Sequence, residues 1–309
     1  MSGWSTRDIP DQSGRTAVVT GANSGLGYVT ARELARKGAR VVLACRSETR
    51  GREAVERLRG EASGADAEFR RLDLADLASV REFAARASYE RLDLLVNNAG
   101  VMALPYGTTA DGFEIQFGVN HLGHFALTGR LLPALLATPG ARVVNVSSMA
   151  HLLGNIDIRD LNSEQRYRRW TAYGRSKTAN LLFTHELARR LAAAGAGLVA
   201  AAAHPGYAAT NLQTAGVRAE GRRAAERFVE IGNRFFAQSA AAGALPTLYA
   251  ATAPDVRPDS FTGPSVTMWR GAPAPSWRAP WTRDDRAGRL LWAESERLTG
   301  VMYEGLDGE

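Results

Sequence analysis

The chain has 309 residues, 45% hydrophobic and 23% charged, enough to bury a sizeable core and ordinary for a soluble globular protein. The net charge of +6 raises nucleic acid and anionic membranes as partners. The arginines, however, lie beside acids as Arg-Glu, Glu-Arg and Arg-Asp neighbours, the pattern of solvated helix faces, so no nucleic acid is expected. No apolar run nears the ~20 residues of a membrane span. The polar start Met1–Gln12 lacks the basic and apolar regions of a signal peptide. The single cysteine, Cys45, excludes an internal disulfide framework and fits a reducing cytoplasm.

In chain order, 15–20 (RTAVVT) is a β-branched run that predicts a buried parallel strand. A glycine-rich turn follows, then a helix from Tyr28 to Lys37 stopped by Gly38. Further strands are predicted at 40–44, 67–73, 92–96, 142–146 and 198–203. Helices are predicted at 51–59, 77–87 and over much of 113–136, and from the region of Tyr173 to about Ala194. Strands alternating with helices at this spacing indicate an α/β, doubly wound parallel sheet of about seven strands, with helices on both faces. Ligands of such sheets sit at the carboxyl ends of the strands. The polar clusters fall there: 21–27, Arg46, Asp73, 97–100, Ser147–Ser148 and Pro205–Gly206. One domain is expected, with a core at about 15–268, a substrate lid at about 207–240 and a tail at 269–309. The tail carries Trp269, Trp277, Trp281 and Trp292 and is expected to pack over a groove or the domain base.

Thr20–Gly27 reads T-G-x-x-x-G-x-G between a strand and a helix. Gly21 permits a tight turn, while Gly25 and Gly27 let a pyrophosphate approach the helix N-terminus. An acid at the end of the second strand would hold the ribose hydroxyls of NAD. The sequence there is Ala44-Cys45-Arg46, and Arg46 suits a 2′-phosphate, with Arg50 placed to assist. NADP(H) is therefore expected over NAD. Tyr173 and Lys177 stand four apart, on one face of a helix. A cation near a phenol favours the phenolate, so Lys177 is expected to lower the Tyr173 pKa and fit it for proton exchange with a carbonyl or alcohol oxygen. Lys37 and Lys177 are the only lysines among 38 basic residues.

With Thr20–Gly27, Asp73-Leu74, Asn97–Gly100 (NNAG), Asn120, Ser148, Tyr173, Lys177 and Pro205-Gly206, the chain resembles the short-chain dehydrogenase/reductase superfamily from about Arg15 to Met268. Ala44-Cys45-Arg46, 120–125 (NHLGHF), 145–151 (NVSSMAH) and Tyr173-x-x-Ser-Lys177 are similar to the branch of the retinol dehydrogenases and the WW-domain oxidoreductase. The resemblance implies a Rossmann-type fold and NADP(H)-dependent reduction of an aldehyde or ketone, or the reverse alcohol oxidation. It implies a catalytic set of Asn120, Ser148, Tyr173 and Lys177, in which Tyr173 moves the proton, Ser148 orients the substrate oxygen and Asn120 holds a water leading to Lys177. The cofactor is expected on Gly21, Asn23, Ser24, Gly25, Leu26, Gly27, Arg46, Asp73, Leu74, Asn97, Ala99, Gly100, Tyr173, Lys177, Pro205, Gly206 and Thr210. Ser148 is chosen over its neighbour Ser147 because it matches the branch's pattern; adjacent residues at a strand end face opposite sides. The gap from Ser148 to Tyr173 is long for the superfamily. The extra stretch 151–170 is expected to form a rim beside the pocket or to cover a helix-pairing surface, which leaves homodimer and monomer both open.

His121 and His124, three apart, lack a carboxylate-flanked metal motif, so packing or polar contacts are expected and no metal. Cys45 reads as a small buried residue. The stretch 228–236 (FVEIGNRFF) reads as part of a lid rather than a membrane contact. Pocket residues are expected on 102–106, 151–155 and 207–236. Two other readings stay open: a polyketide or secondary-metabolite ketoreductase, or another enzyme of the fold, and an NADP-binding sensor without turnover.

Overall fold

A computed structural model describes residues 3–86, 89, 91–206 and 238–306. Among these, one eight-stranded sheet runs in the order β3-β2-β1-β4-β5-β6-β7-β8. Its strands are β1 (Thr16–Thr20), β2 (Arg40–Cys45), β3 (Ala67–Arg71), β4 (Leu94–Asn97), β5 (Arg142–Val146), β6 (Val199–Ala203), β7 (Phe261–Val266) and β8 (Arg270–Pro275). The first seven pair in parallel and β8 returns antiparallel. The central strands are apolar along their length because helices cover both faces. Ala17, Val18 and Val19 of β1 are fully buried, with Val19 in one apolar layer and Val18 in the other.

Helices α1 (Gly25–Arg36) and α2 (Glu48–Glu61) supply Leu34 and Leu58 to the first layer. Helix α3 (Leu77–Arg86) gives Phe83 to the second. The long helical stretch predicted at 113–136 is interrupted. It consists of α4 (Ile115–Phe117), a π turn (Gly118–Leu122) and α5 (Gly123–Leu136). π turns of this kind collect at functional sites because they re-aim side chains; Asn120 lies inside this one. Helix α6 (Arg169–Ala193) carries Tyr173 and Lys177, α7 (Ala240–Thr252) covers the first layer, and α8 (Asp285–Thr299) lies against α5 and α6.

The eighth strand lies in the stretch read from the sequence as a tail. Its Arg-Gly-Ala-Pro-Ala-Pro sequence is poor strand material, tolerated because an edge strand needs few ladder bonds. The tail's tryptophans divide. Trp269 and Trp277 are exposed, whereas Trp292 on α8 is buried among Phe125, Phe183 and Tyr303, with ring centroids 4.5–5.8 Å away. The sequence placed the tail over a groove or the domain base; α8 instead completes the second apolar layer. The insertion at 151–170 packs Ile156, Ile158 and Leu161 onto Phe117, Leu122 and Leu182. Most of the expected lid, 207–237, lies outside the described residues. No helix among the described residues is long and apolar enough to cross a membrane.

Four imidazoles are buried: His121, His124, His151 and His204. Burial disfavours their charged form, lowering His121 and His204 to about 3, His124 to about 4, and His151 below its ordinary value. The unfolded chain then binds more protons than the native one below the ordinary histidine value of 6.5. Stability is full above that pH and is lost as pH falls toward the folded values. His185, raised by Asp259 first and by Asp285, opposes this: its contribution is full below 6.5 and fades as pH rises through its folded value. With four groups against one, the urea midpoint at pH 5.5 is expected to lie below that at pH 7, each buried histidine adding a slope of up to about 1.4 kcal/mol per pH unit. Equal midpoints would show that these rings do not enter the native state neutral.

Candidate active site

The loop after β1 is shaped for close approach of a ligand. Gly21 and Gly25 have φ of +66° and +57°, a region that favours glycine. A Cβ at Gly27 would stand 2.4 Å from Asn98 Nδ2 and 2.6 Å from the Gly21 carbonyl. Tyr28 N–H bonds the Ser24 carbonyl, which leaves the N–H groups of Gly25, Leu26 and Gly27 ahead of the first helical bond. Ser24 caps α1 without a side-chain bond. The backbone N–H groups of Ala22 and Asn23 face the Cys45 thiol, which burial pushes up to about 11. Free N–H groups, the helix dipole and missing Cβ atoms fit a pyrophosphate here.

Around this loop, Thr20 Oγ1 accepts the N–H groups of Asn98 and Ala99, each at 2.9 Å, locking the start of the glycine loop to the NNAG turn after β4. The Asn97 side chain serves the sheet: its Nδ2 donates to Thr128 Oγ1 and Asn145 Oδ1, and it is 1% exposed. Asp73 after β3 turns its Oδ1 to the Ala75 N–H. Leu74 is buried beneath α5, where a Cβ at Gly123 would lie 2.5 Å from its carbonyl. Arg46 is exposed at the end of β2 and makes no hydrogen bond or ion pair with any described residue. Pro205 accepts from Gln238 Nε2, and Gly206, at φ +64°, sits where a Cβ would strike the Trp269 carbonyl. Thr210 lies outside the described residues.

The second group converges on α6. Ser148 follows β5 and caps the next turn; its hydroxyl lies beside the Tyr173 phenol, where it favours the phenolate, and accepts the Ala150 N–H at 3.1 Å. Ser147 faces the other way and donates to the Lys177 carbonyl at 2.9 Å. Lys177 Nζ donates to the Val146 carbonyl at 3.1 Å and stands 5.7 Å from the centre of the Tyr173 ring. A Cβ on Gly100 would come within 3.0 Å of Asn120 Oδ1 and 3.5 Å of Lys177 Nζ, so these three groups meet. The Asn120 amide brackets Val101, accepting its N–H at 2.8 Å and donating to its carbonyl at 2.9 Å. The second Nδ2 proton goes to Ser176 Oγ at 2.9 Å. Both amide protons are thereby placed, and any water held at Asn120 must rest on its oxygens.

One expectation is corrected. Lys177 was to lower the Tyr173 pKa; in the chain alone, burial pushes the phenol up to about 12, and only the Ser148 hydrogen bond opposes it. Burial also lowers Lys177 itself, to about 8. Both groups are more than nine-tenths buried, and desolvation dominates each of them. Sequence reasoning missed the supports of the site. His124 bridges Thr20 Oγ1 at 2.9 Å and the Asn120 carbonyl at 3.0 Å. Gln116 ties Ala103, at φ +51°, to Tyr167 and the start of α6. The signal for His124 was present in 120–125, where its spacing was weighed only against metal binding.

A short chain dehydrogenase family model matches residues 15–221. Retinol dehydrogenase 12 of Mus musculus is 43% identical over 297 residues, covering 94% of this chain and 88% of that protein. A crystal structure of an uncharacterized protein from Mycobacterium paratuberculosis superposes with a TM-score of 0.82 at 48% identity, covering 98% of this chain and 99% of that one. A short chain dehydrogenase/reductase from Burkholderia phymatum in complex with NAD has a TM-score of 0.60 at 27% identity, over 78% of this chain and 86% of that chain. With a parallel sheet, a glycine loop at its β1 end and a polar group gathered on α6, the chain belongs to the short chain dehydrogenase family, in its retinol dehydrogenase-like branch, and is an oxidoreductase of alcohols and carbonyls that uses a nicotinamide cofactor.

Proposed function

We propose that this protein is an NADP(H)-dependent reductase of apolar aldehydes or ketones, running in reverse as an alcohol dehydrogenase, with Tyr173 as its acid and base. The observation that carries the reading is the meeting of Ser148 and Lys177 on Tyr173. A bound nicotinamide would supply or take the hydride; the remaining work falls to the chain's own groups. With its phenol at about 12, Tyr173 is protonated at neutral pH and able to give its proton to a carbonyl oxygen. Ser148, placed beside that phenol, can orient the same oxygen and stabilise charge developing on it. Lys177 at about 8 remains mostly an ammonium at pH 7, and its charge favours the phenolate left behind. Alcohol oxidation needs that phenolate first, so it draws more heavily on Lys177.

An apolar substrate is supported by what surrounds Tyr173. Trp170, half exposed, stands edge-on to the Tyr173 ring at 6.2 Å, and the exposed Tyr106 stacks edge-on against Tyr167 of the insertion. A retinol dehydrogenase among the relatives agrees with a large apolar alcohol or aldehyde. Gly21, Asn23, Ser24, Gly25, Leu26 and Gly27 would hold the pyrophosphate, and Ala99, Gly100, Asp73 and Leu74 would line the adenosine side.

One relative on this fold binds NAD, so the case for NADP(H) rests on this chain's own β2 end. No acid stands there, and Arg46 has its guanidinium uncommitted toward every described residue. Steady-state assays on a carbonyl panel are expected to favour NADPH over NADH. Arg46→Asp should cut that preference by about tenfold or more, the worth of a charge-assisted hydrogen bond. Faster oxidation of NADH than of NADPH by the unaltered protein would overturn the cofactor assignment.

A further inference from the structure

The stretch Ser276–Ala279, just past β8, is tied to two of the strand ends that carry the site. His204 follows β6. Its Nδ1 accepts the Gly206 N–H at 3.2 Å, so the proton of the neutral ring sits on Nε2 and is given to Ser276 Oγ at 2.8 Å. His151 lies in the 3₁₀ turn Met149–Leu153 that follows β5 and Ser148. Its Nε2 accepts the Ala279 N–H at 3.2 Å, so Nδ1 carries the proton and gives it to the Ser148 carbonyl at 2.7 Å. Phe261 of β7 lies beside both rings, with centroids 5.8 Å and 5.0 Å away, and its carbonyl accepts the Ser276 N–H at 2.8 Å. Between the two latches, Arg278 donates to Asp259.

Each imidazole has one donor nitrogen and one acceptor nitrogen, and both are used. Both rings are 0% exposed, so water cannot substitute for a lost bond. A second proton on either would face a backbone N–H of Ala279 or Gly206, and burial keeps both rings neutral. The fit is close: a Cβ at Gly263 would strike the His204 ring. Thr178, next to Lys177 on α6, donates to the Gly154 carbonyl at 2.7 Å and has the His151 carbonyl at 3.1 Å from the same oxygen, so α6 is fastened to the turn that holds His151.

We propose that His151 and His204 are positioning residues, a pair of neutral imidazoles that clamp the Ser148 turn and the Pro205–Gly206 turn onto Ser276–Ala279, so that this C-terminal stretch sets the geometry of the serine and of the turn beside the cofactor. The proposal rests on the reading of Ser148 and Pro205–Gly206 given under the proposed function. An apolar ring substitute would fill the same space. It would leave Gly206 N–H and Ala279 N–H without acceptors and the Ser148 carbonyl with the His151 backbone N–H alone, at 3.1 Å.

The test uses the full chain with His151→Leu, His204→Leu, the corresponding Asn variants, and Ser148→Ala. Retinaldehyde and decanal are the carbonyl probes, and NADPH binding is followed by its fluorescence. An asparagine amide can stand at the Nδ1 position as donor or acceptor and should restore the bond to Ser148 or to Gly206. His151→Leu is expected to lower kcat about tenfold or more with little change in the KM for NADPH, and His204→Leu to raise the NADPH Kd about tenfold or more. The Asn variants should recover most of each loss. Nitrogen-15 spectra of labelled histidine should show His151 protonated on Nδ1 and His204 on Nε2, both neutral. The opposite tautomers, or Leu variants that lose thermal stability yet keep kcat and Kd, would overturn the clamp. Ser148→Ala separates the two readings: full turnover there would sink the functional proposal, while the tautomers and the NADPH Kd of the His204 variants would still decide the clamp.

Discussion

A buried ammonium is the constraint on which the rest of the site depends. Lys177 is 4% exposed and is held by the Val146 carbonyl, without an acid partner among the described residues. An isolated buried charge is costly, and the chain answers it in two ways. Burial lowers Lys177 to about 8, and polar groups gather around it: Asn120 beside Gly100, and Tyr173 across the helix face. The π turn at 118–122, the 25-residue length of α6 and the bond of Ser147 to the Lys177 carbonyl all keep that arrangement in place.

The same logic runs outward through neutral histidines. His124 ties the glycine loop to the Asn120 turn, His151 ties Ser148 to the end of the sheet, and His204 ties the Pro205–Gly206 turn to the same end. A neutral imidazole joins a donor to an acceptor over a fixed distance without adding a charge. Around a buried cation that property matters, since a second positive group would raise the cost of the first.

The parallel sheet was legible because its central strands are continuous apolar runs, and because each polar cluster falls at a strand end. The choice of Ser148 over Ser147 came from the branch pattern; strand alternation said only that the two face opposite sides, and Ser147 does turn to the Lys177 carbonyl while Ser148 lies by Tyr173. Strand β8 was not legible, since its alternating prolines belong to an edge and resemble a loop. Trp292 was misjudged because a tryptophan among prolines and arginines carries no mark of the partners it meets from α5 and α6. The direction of the Tyr173 shift failed for a physical reason. Spacing on a helix places charge near a phenol, but how deeply that phenol is buried is set by packing from the rest of the fold, which the Tyr-x-x-x-Lys window does not contain.

The central claim is that Tyr173 moves the proton that accompanies hydride transfer. Its direct measure is single-turnover reduction of a carbonyl by NADPH in Tyr173→Phe, a change that removes one hydroxyl and keeps the ring. Loss of general acid catalysis predicts a fall of about 10²–10⁴-fold in the chemical step with NADPH affinity retained. A chemical step within a few-fold of the unaltered protein would contradict it.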